Sequence, residues 1–211
     1  MTPPRNLEIE IKLQLESFTD YLKLVGFLGP IQDEDHHLNV FFDSADRKLS
    51  RSGAALRLRA EGKRGLVTFK SAISQKGAAV IRREIEAEIE RARVIEVMTG
   101  RTDVLAIDEE PLRVVREEFS GVSLVKLAEF QNDRQSKVFR IGDYDYTLEI
   151  DKTEFADGSV DYELEVELPH EGQLEVVEDK LRRMFQKLGI PYQRQQQSKL
   201  ERALERAPQI S

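Results

Sequence analysis

The chain has 211 residues, 40% hydrophobic and 34% charged, with 32 Lys and Arg against 39 Asp and Glu for a net charge of -7. That length buries one generous core or two small ones, and the negative balance argues against binding to double-stranded nucleic acid or an anionic membrane while leaving room for a local basic pocket. Cysteine is absent, which excludes disulfides and Cys-based zinc or redox sites; no apolar run resembles a signal peptide or a membrane span, so the expectation is a cytoplasmic protein.

Residues 7–15, LEIEIKLQL, alternate with a period of two, placing Leu7, Ile9, Ile11, Leu13 and Leu15 on one face of a strand and Glu8, Glu10, Lys12 and Gln14 on the other. Ser17 can cap a helix in which Phe18, Tyr21, Leu22 and Val25 repeat at helical spacing and which Gly26 or Gly29 ends. Short, mostly alternating strands follow at residues 36–44, 54–62, 65–71 and 80–90. The "KRG" of residues 63–65 reads as a hairpin turn at a rim. Residues 91–119 become helical, with a break near "DEEP" and a solvated Arg/Glu face over the first part. Strands resume at 122–130, 134–142, 144–155 and 159–169, with hairpin-type turn residues in "RIGDYDY" and "FADGSVDY". Two amphipathic helices close the chain, at 173–189, stopped by Gly189 and Pro191, and at 198–207. His36 and His37 would point to opposite faces of a strand, so they cannot share an ion and read as surface or edge histidines. No flexible linker interrupts the pattern, and the expectation is a single domain over residues 1–211 with flexible ends at 1–6 and 207–211.

The strands share an unusual polar face. Arg57 and Arg59 oppose Leu56 and Leu58, and Lys70 ends "LVTFK". Arg82, Glu84, Glu86 and Glu88 oppose Ile81, Ile85 and Ile89; Glu149 and Asp151 oppose Leu148 and Ile150; Glu163, Glu165 and Glu167 oppose Leu164, Val166 and Leu168. An ordinary antiparallel sheet has one dry and one wet face, but a wet face mixes Thr, Ser and Gln with its charges, and these faces are nearly pure. Two like charges about 4 Å apart repel by about 1 kcal/mol in water and several-fold more in a protein-like dielectric, and cross-strand neighbours sit at about that distance. An acidic wall therefore calls for cations among its carboxylates, and Mg²⁺ or Mn²⁺ take such oxygen ligands. On the same ground, neutralising one carboxylate of the wall is expected to relieve repulsion. The basic strands call for a multivalent anion. A closed antiparallel barrel of α+β type, apolar outward under its helices and charged inward, meets both demands, and a polyphosphate with its metal is the ligand that needs both. No Ser-His-Asp or Cys-His set is present, so water or a substrate hydroxyl is the nucleophile.

These residues resemble the CYTH family, the triphosphate tunnel metalloenzymes. Its Glu-x-Glu-x-Lys signature is matched by Glu8, Glu10 and Lys12. In the family's order there follow "FFDS", the pair Arg57 and Arg59, Lys70, the strand of Arg82, Glu84 and Glu86, then Arg134, Asp151, the pair Glu163 and Glu165, and Lys199 in "SKLERAL". The match runs from about residue 7 to residue 204. It implies an eight-stranded antiparallel barrel or tunnel with helices outside, and metal-dependent action on a triphosphate-containing small molecule. Family members include inorganic and thiamine triphosphatases, RNA triphosphatases and class IV adenylyl cyclases. By the same resemblance, Glu8, Glu10, Glu84, Glu86, Asp151, Glu163 and Glu165 hold Mg²⁺ or Mn²⁺. Lys12, Arg57, Arg59, Lys70, Arg82, Arg134 and Lys199 bind phosphates, and Glu8, Glu10 and Lys12 are catalytic. Two ambiguities stay open: the second acidic pair is Glu163/Glu165 or Glu165/Glu167, and Arg134, Lys137 and Arg140 compete for one role. The reading is a hydrolase acting at the γ-phosphate of inorganic triphosphate or a small organic triphosphate. Its rivals are an adenylyl cyclase in the same tunnel and a non-catalytic polyphosphate-binding module. A homodimer is compatible with all three.

Overall fold

The alternation at the start of the chain becomes the strand β1, Leu7–Leu15. Its odd-numbered residues Ile9, Ile11, Leu13 and Leu15 are buried against helices, and Glu10 and Lys12 turn the other way into the lumen. In this computed structural model the described residues are 7–76 and 79–206, with the side chains of residues 7, 8, 72–76 and 79–82 excepted. The expected flexible ends lie outside the described residues.

In chain order the elements are β1, α1 (Phe18–Leu28), β2 (Asp33–Asp43), α2 (Lys48–Arg51), β3 (Ala54–Glu61), β4 (Arg64–Lys76), β5 (Ala79–Glu90), α3 (Arg91–Met98), α4 (Glu110–Glu118), β6 (Val125–Ile141), β7 (Tyr144–Phe155), β8 (Val160–Glu167), α5 (Leu174–Leu188), β9 (Gln193–Arg194) and α6 (Lys199–Glu205). The sheet order is β5-β4-β3-β2-β6-β7-β8-β1-β9, with a further β5–β1 pairing. β1 is therefore shared: residues 7–10 pair antiparallel with β5 and residues 10–15 with β8. That sharing joins the two ends of the order, so eight antiparallel strands form a closed ring, to which the two-residue β9 adds outside.

The ring is apolar outside and polar inside. Under α1 and α5, Leu24, Val177, Leu181 and Phe185 pack on Ile11, Leu13, Ile150, Leu164 and Val166. On the other flank, Val94, Val97, Leu112 and Val115 of α3 and α4 cover Val40, Leu56, Leu58, Val67 and Phe69. Each fully buried aliphatic or aromatic side chain contributes about 1.5–3 kcal/mol, so the two outer cores stabilise the ring and leave the lumen free for charge. Gly65 shows how closely α3 approaches the ring: a Cβ there would collide with the Val94 side chain. Ser17 caps α1 by accepting from the Asp20 N–H at 3.1 Å, and Gly189 ends α5 at a φ of 63°.

The structure departs from the sequence reading in three places. The segments 122–130 and 134–142 are one 17-residue strand, β6, because the polar "QND" stays in the ladder, with Asn132 opposite His37 on one side and Thr153 on the other. α2 and β9 are short elements that no periodicity announced. His37 is neither a surface nor an edge residue. It points into the lumen and is buried, while His36 points out and holds Asp133 Oδ1 at 2.7 Å.

Candidate functional site

The lumen holds a cavity of about 620 Å³ lined by inward-facing side chains of β1 to β8 and by α6. One wall is basic. Arg57 Nη2 donates to Thr68 Oγ1 at 3.1 Å and lies 3.6 Å from Glu86 Oε2. Arg59 Nε donates to Asn39 Oδ1 at 3.1 Å, and Lys70 Nζ lies 3.0 Å from Glu84 Oε2. Because β3 alternates, Arg57 and Arg59 share the inward face while Leu56 and Leu58 lie in the outer core.

The opposite wall is an acidic pole. Asp151 of β7 and Glu163 and Glu165 of β8 each offer an oxygen within 4.8 Å of the others, and all three are buried. Four cations from the same chain sit on them. Lys199 Nζ is 2.8 Å from Asp151 Oδ2 and 2.9 Å from Glu165 Oε1, and also contacts Glu163 Oε1. Lys12 Nζ is 2.7 Å from Glu165 Oε1 and 3.3 Å from Glu10 Oε2. Arg134 grips Asp151 as a fork at 2.8 and 2.6 Å, reaches Glu165 Oε2 at 2.5 Å and also contacts Glu149. Arg202 Nη2 donates to Glu163 Oε2 at 2.5 Å and Nη1 to Asp161 Oδ2 at 2.9 Å. α6 delivers both Lys199 and Arg202, and a capping box fixes its first turn: Ser198 Oγ accepts from the Glu201 N–H, and the Glu201 carboxylate accepts from the Ser198 N–H.

The electrostatics follow from this packing. Burial disfavours the charged forms of Asp151 and Glu165, but their cations outweigh it: Arg134 and Lys199 hold Asp151 well below the usual carboxylate range, and Lys12, Lys199 and Arg134 do the same for Glu165. Burial likewise opposes charge on Lys12, and Glu10, Glu165 and Glu163 overcome it and raise its pKa. Glu149 is pushed up, by burial first, with Arg134 only partly offsetting it. On the basic wall, burial together with Arg57 and Arg134 lowers Arg59 to about 10, with Glu61 and Glu86 acting against the shift.

The sequence-derived candidates divide accordingly. Lys12, Arg134, Lys199, Asp151, Glu163 and Glu165 come together at the acidic pole, with Glu10 at its edge. Arg57, Arg59 and Lys70 form the basic wall, and Glu84 and Glu86 stand on that wall rather than in the acidic trio. β1 and β5 pair Glu8 with Arg82, but the side chains of these two residues lie outside the described residues. Of the competing cations, only Arg134 turns inward: Lys137 donates to the Pro30 carbonyl at 2.5 Å and Arg140 lies 3.3 Å from Asp145. Glu163 and Glu165 join the trio, while Glu167 lines the cavity apart from it. Sequence reasoning missed Arg202, a buried arginine on a helix read only as amphipathic. It also missed His37 and Glu61, although Glu61 continues the inward face of Arg57 and Arg59 in "LRLRAE".

A closed antiparallel ring with helices outside and a charged lumen defines a tunnel protein. The CYTH domain matches residues 6–202, and the chain belongs to the CYTH family. Among curated proteins no relative matches by sequence. Among solved structures, HpAC1 from Hippeastrum, an assigned adenylyl cyclase described as revealing a dominant triphosphatase activity, is 26% identical, covers 94% of this chain and 95% of its own, and superposes with a TM-score of 0.82. A Bacillus halodurans protein assigned as an adenylate cyclase is 19% identical over 93% of this chain and 98% of its own, at a TM-score of 0.72. The PH1819 protein of Pyrococcus horikoshii is also 19% identical, over 93% and 98%, at 0.60. The last two establish the fold alone. Among the described residues no helix is long and apolar enough to cross a membrane.

Proposed function

We propose that the protein is a metal-dependent triphosphatase that hydrolyses the γ-phosphate anhydride of inorganic triphosphate or of a small organic triphosphate, such as thiamine triphosphate or a nucleoside triphosphate. The observation that carries this reading is a lumen lined both by the basic residues Arg57, Arg59 and Lys70 and by Glu165, which belongs to a buried trio with Asp151 and Glu163. An anion-binding module would need the first and not the second. HpAC1, with its dominant triphosphatase activity, supports hydrolysis over cyclisation.

The trio fits a hard divalent cation. Its donors are all carboxylate oxygens, and Glu163 Oε1 is buried without a hydrogen bond, met only by the Lys199 ammonium. Asp151, Glu163 and Glu165, with Glu10 beside them, would hold Mg²⁺ or Mn²⁺. When bound, the metal neutralises phosphate charge and lowers the pKa of water. The chain's own groups do the rest. Arg57, Arg59 and Lys70 bind the phosphate oxygens by charge-assisted hydrogen bonds. Lys12 and Arg134 line the cavity beside Glu165, and with Lys199 keep Glu165 and Asp151 ionised at neutral pH. No side chain at the site is a plausible covalent nucleophile, which leaves water as the attacking group for in-line displacement.

Product analysis tests the reading. With Mg²⁺ or Mn²⁺, tripolyphosphate is expected to release orthophosphate, ATP to release orthophosphate without cyclic AMP, and excess Ca²⁺ to inhibit through its looser, higher coordination. Cyclisation needs the ribose 3′-hydroxyl held in line with the α-phosphate. Cyclic AMP and pyrophosphate from ATP, with tripolyphosphate left intact, would replace the triphosphatase by a cyclase.

A further inference from the structure

Two demands on the site conflict at Lys199. The resemblance to the CYTH family gives this residue to the phosphates, but its ammonium is bound to the acidic trio. Nζ is 2.8 Å from Asp151 Oδ2 and 2.9 Å from Glu165 Oε1, and it also contacts Glu163 Oε1. Among the described residues no other cation touches all three carboxylates: Lys12 pairs with Glu165, Arg202 with Glu163, and Arg134 with Asp151 and Glu165. Glu163 Oε1 is buried without a hydrogen bond and faces this ammonium.

A cation ligated by one oxygen of each trio carboxylate has the same three neighbours as Nζ. Such oxygens close to about 2.1 Å around Mg²⁺, which leaves no room for the ammonium, and two positive centres so close in a buried site repel strongly. The neighbouring guanidinium groups can stay. Arg202 holds Glu163 by its other oxygen and is tied to Asp161, and Arg206 holds the second Asp161 oxygen at 2.9 Å, so α6 remains docked. Lys199 is the first residue of α6, next to the cap Ser198, and both residues line the large cavity. Its flexible four-carbon stem lets the ammonium turn from the trio to the cavity without movement of the helix.

We propose that Lys199 is an exchangeable counter-ion: it neutralises the trio in the metal-free protein, gives up its place to a divalent cation, and then turns to the phosphates in the cavity. The inference rests on the metal-dependent reading above and adds that metal and anion binding are coupled through one side chain. By linkage, each then tightens the other.

Calorimetric titration of the whole protein with Mn²⁺ alone, in phosphate-free buffer, tests the exchange without turnover. Lys199→Met, which keeps an unbranched stem and removes the competing charge, is expected to bind Mn²⁺ about tenfold or more tightly than the wild type. Lys199→Gln is expected to shift affinity the same way and serves if the Met variant does not fold. Equal or weaker binding by the variants overturns the inference and leaves the metal site standing. Binding by neither wild type nor variant overturns the metal reading and the inference together. Orthophosphate, which is not hydrolysed further, reads the second half. Lys199→Met should weaken its binding about tenfold in Mg²⁺ and less than about threefold in EDTA. No loss in Mg²⁺, or an equal loss in both buffers, overturns the coupling. A last arm needs no variant: acetylation of Lys199 in the wild type by acetic anhydride, followed by mass spectrometry. It is expected to run several-fold faster in Mg²⁺ than in EDTA, and an unchanged or slower rate overturns the exchange.

Discussion

The two walls of the lumen carry opposite charge and solve the problem of burial differently. At the acidic pole each carboxylate of the trio is held by at least two cations of the same chain; Glu165 has three, within 2.5–2.9 Å, and is 9% exposed at its side chain. On the basic wall the contacts are more open to water: Arg57 stands 3.6 Å from a Glu86 side chain that is 38% exposed, and Lys70 lies 3.0 Å from Glu84 with a quarter of each side chain exposed. The acidic pole is compensated from within, whereas Arg57 and Lys70 on the basic wall lean on partners that water already screens. An incoming anion thus finds its cations weakly engaged on one side, while a metal must compete with ammonium and guanidinium groups on the other.

Breaking the acidic pole should have the largest effect. Glu163→Gln and Glu165→Gln are each expected to lower turnover of tripolyphosphate by about 10³-fold or more. The structure also reverses the expectation that neutralising this wall relieves repulsion. With Lys199, Arg202, Lys12 and Arg134 on the trio, losing one carboxylate leaves buried cations undercompensated, and the metal-free variants should be destabilised by about 3–5 kcal/mol. Thermal melting in EDTA checks this, and unchanged melting with full activity would remove the metal role from these residues.

Breaking the basic wall should cost less and leave stability nearly intact. Arg57→Ala and Arg59→Ala are each expected to weaken tripolyphosphate binding about 10- to 100-fold, the worth of a hydrogen bond to a charged group. The loss for orthophosphate should be smaller, since it spans fewer contacts. Calorimetry with both ligands separates the two, and equal losses would dissolve the idea of a shared cradle.

The difference between the walls also has a pH signature. Burial, with the guanidinium groups of Arg59, Arg134 and Arg57 nearby, pulls the His37 imidazole down to about 3. Its pKa in the folded state lies below the unfolded value of about 6.5, so the unfolded chain binds the extra proton between those two pH values. The stability this represents is complete above about pH 6.5 and is lost as pH falls toward 3, reaching about 2 kcal/mol of loss at pH 5. His37→Gln should flatten that part of the urea-denaturation profile relative to the wild type. The smallest effect is a control on the choice among cations: Arg140, 64% exposed beside an equally open Asp145, should be replaceable by Ala with stability changed by less than about 0.5 kcal/mol and activity unaltered.

Much of this was legible because a strand tells its two faces apart. Period-two alternation was enough to place Lys12, Arg57, Arg59, Asp151, Glu163 and Glu165 on the side away from the apolar core, and the purity of the charge on that side pointed to a lumen rather than to a solvated sheet. What alternation cannot supply is depth or partner. Glu84 and Glu86 read the same as Glu163 and Glu165, yet the first pair stands among the basic residues and the second at the acidic pole. Arg202 was invisible because a helix that plugs into a charged lumen buries a polar stripe, and burial of such a stripe leaves no mark in a hydrophobic pattern. The gap left between the two segments of β6 falls on Gln131, Asn132 and Asp133, polar residues that belong to the ladder, with Asn132 inside and accepting from Thr153 Oγ1 at 2.7 Å.

β1 is the stave that closes the ring, and it does so by pairing with residues 80–83 at one end and 162–167 at the other. It also carries Lys12, whose ammonium meets Glu165, while α6 brings Lys199 to the same carboxylate. Contacts spanning 153 and 34 residues therefore meet at one side chain, and the closing β1–β5 pairing spans 70–76, which gives the molecule a high contact order and places it among slow, non-local folders. The entropy of closing those loops has to be met before the charges can compensate one another. A half-formed ring would hold the acidic strands without their cations, and such species should be open, hydrated and short-lived. Assembly of the site and closure of the barrel then become a single kinetic event.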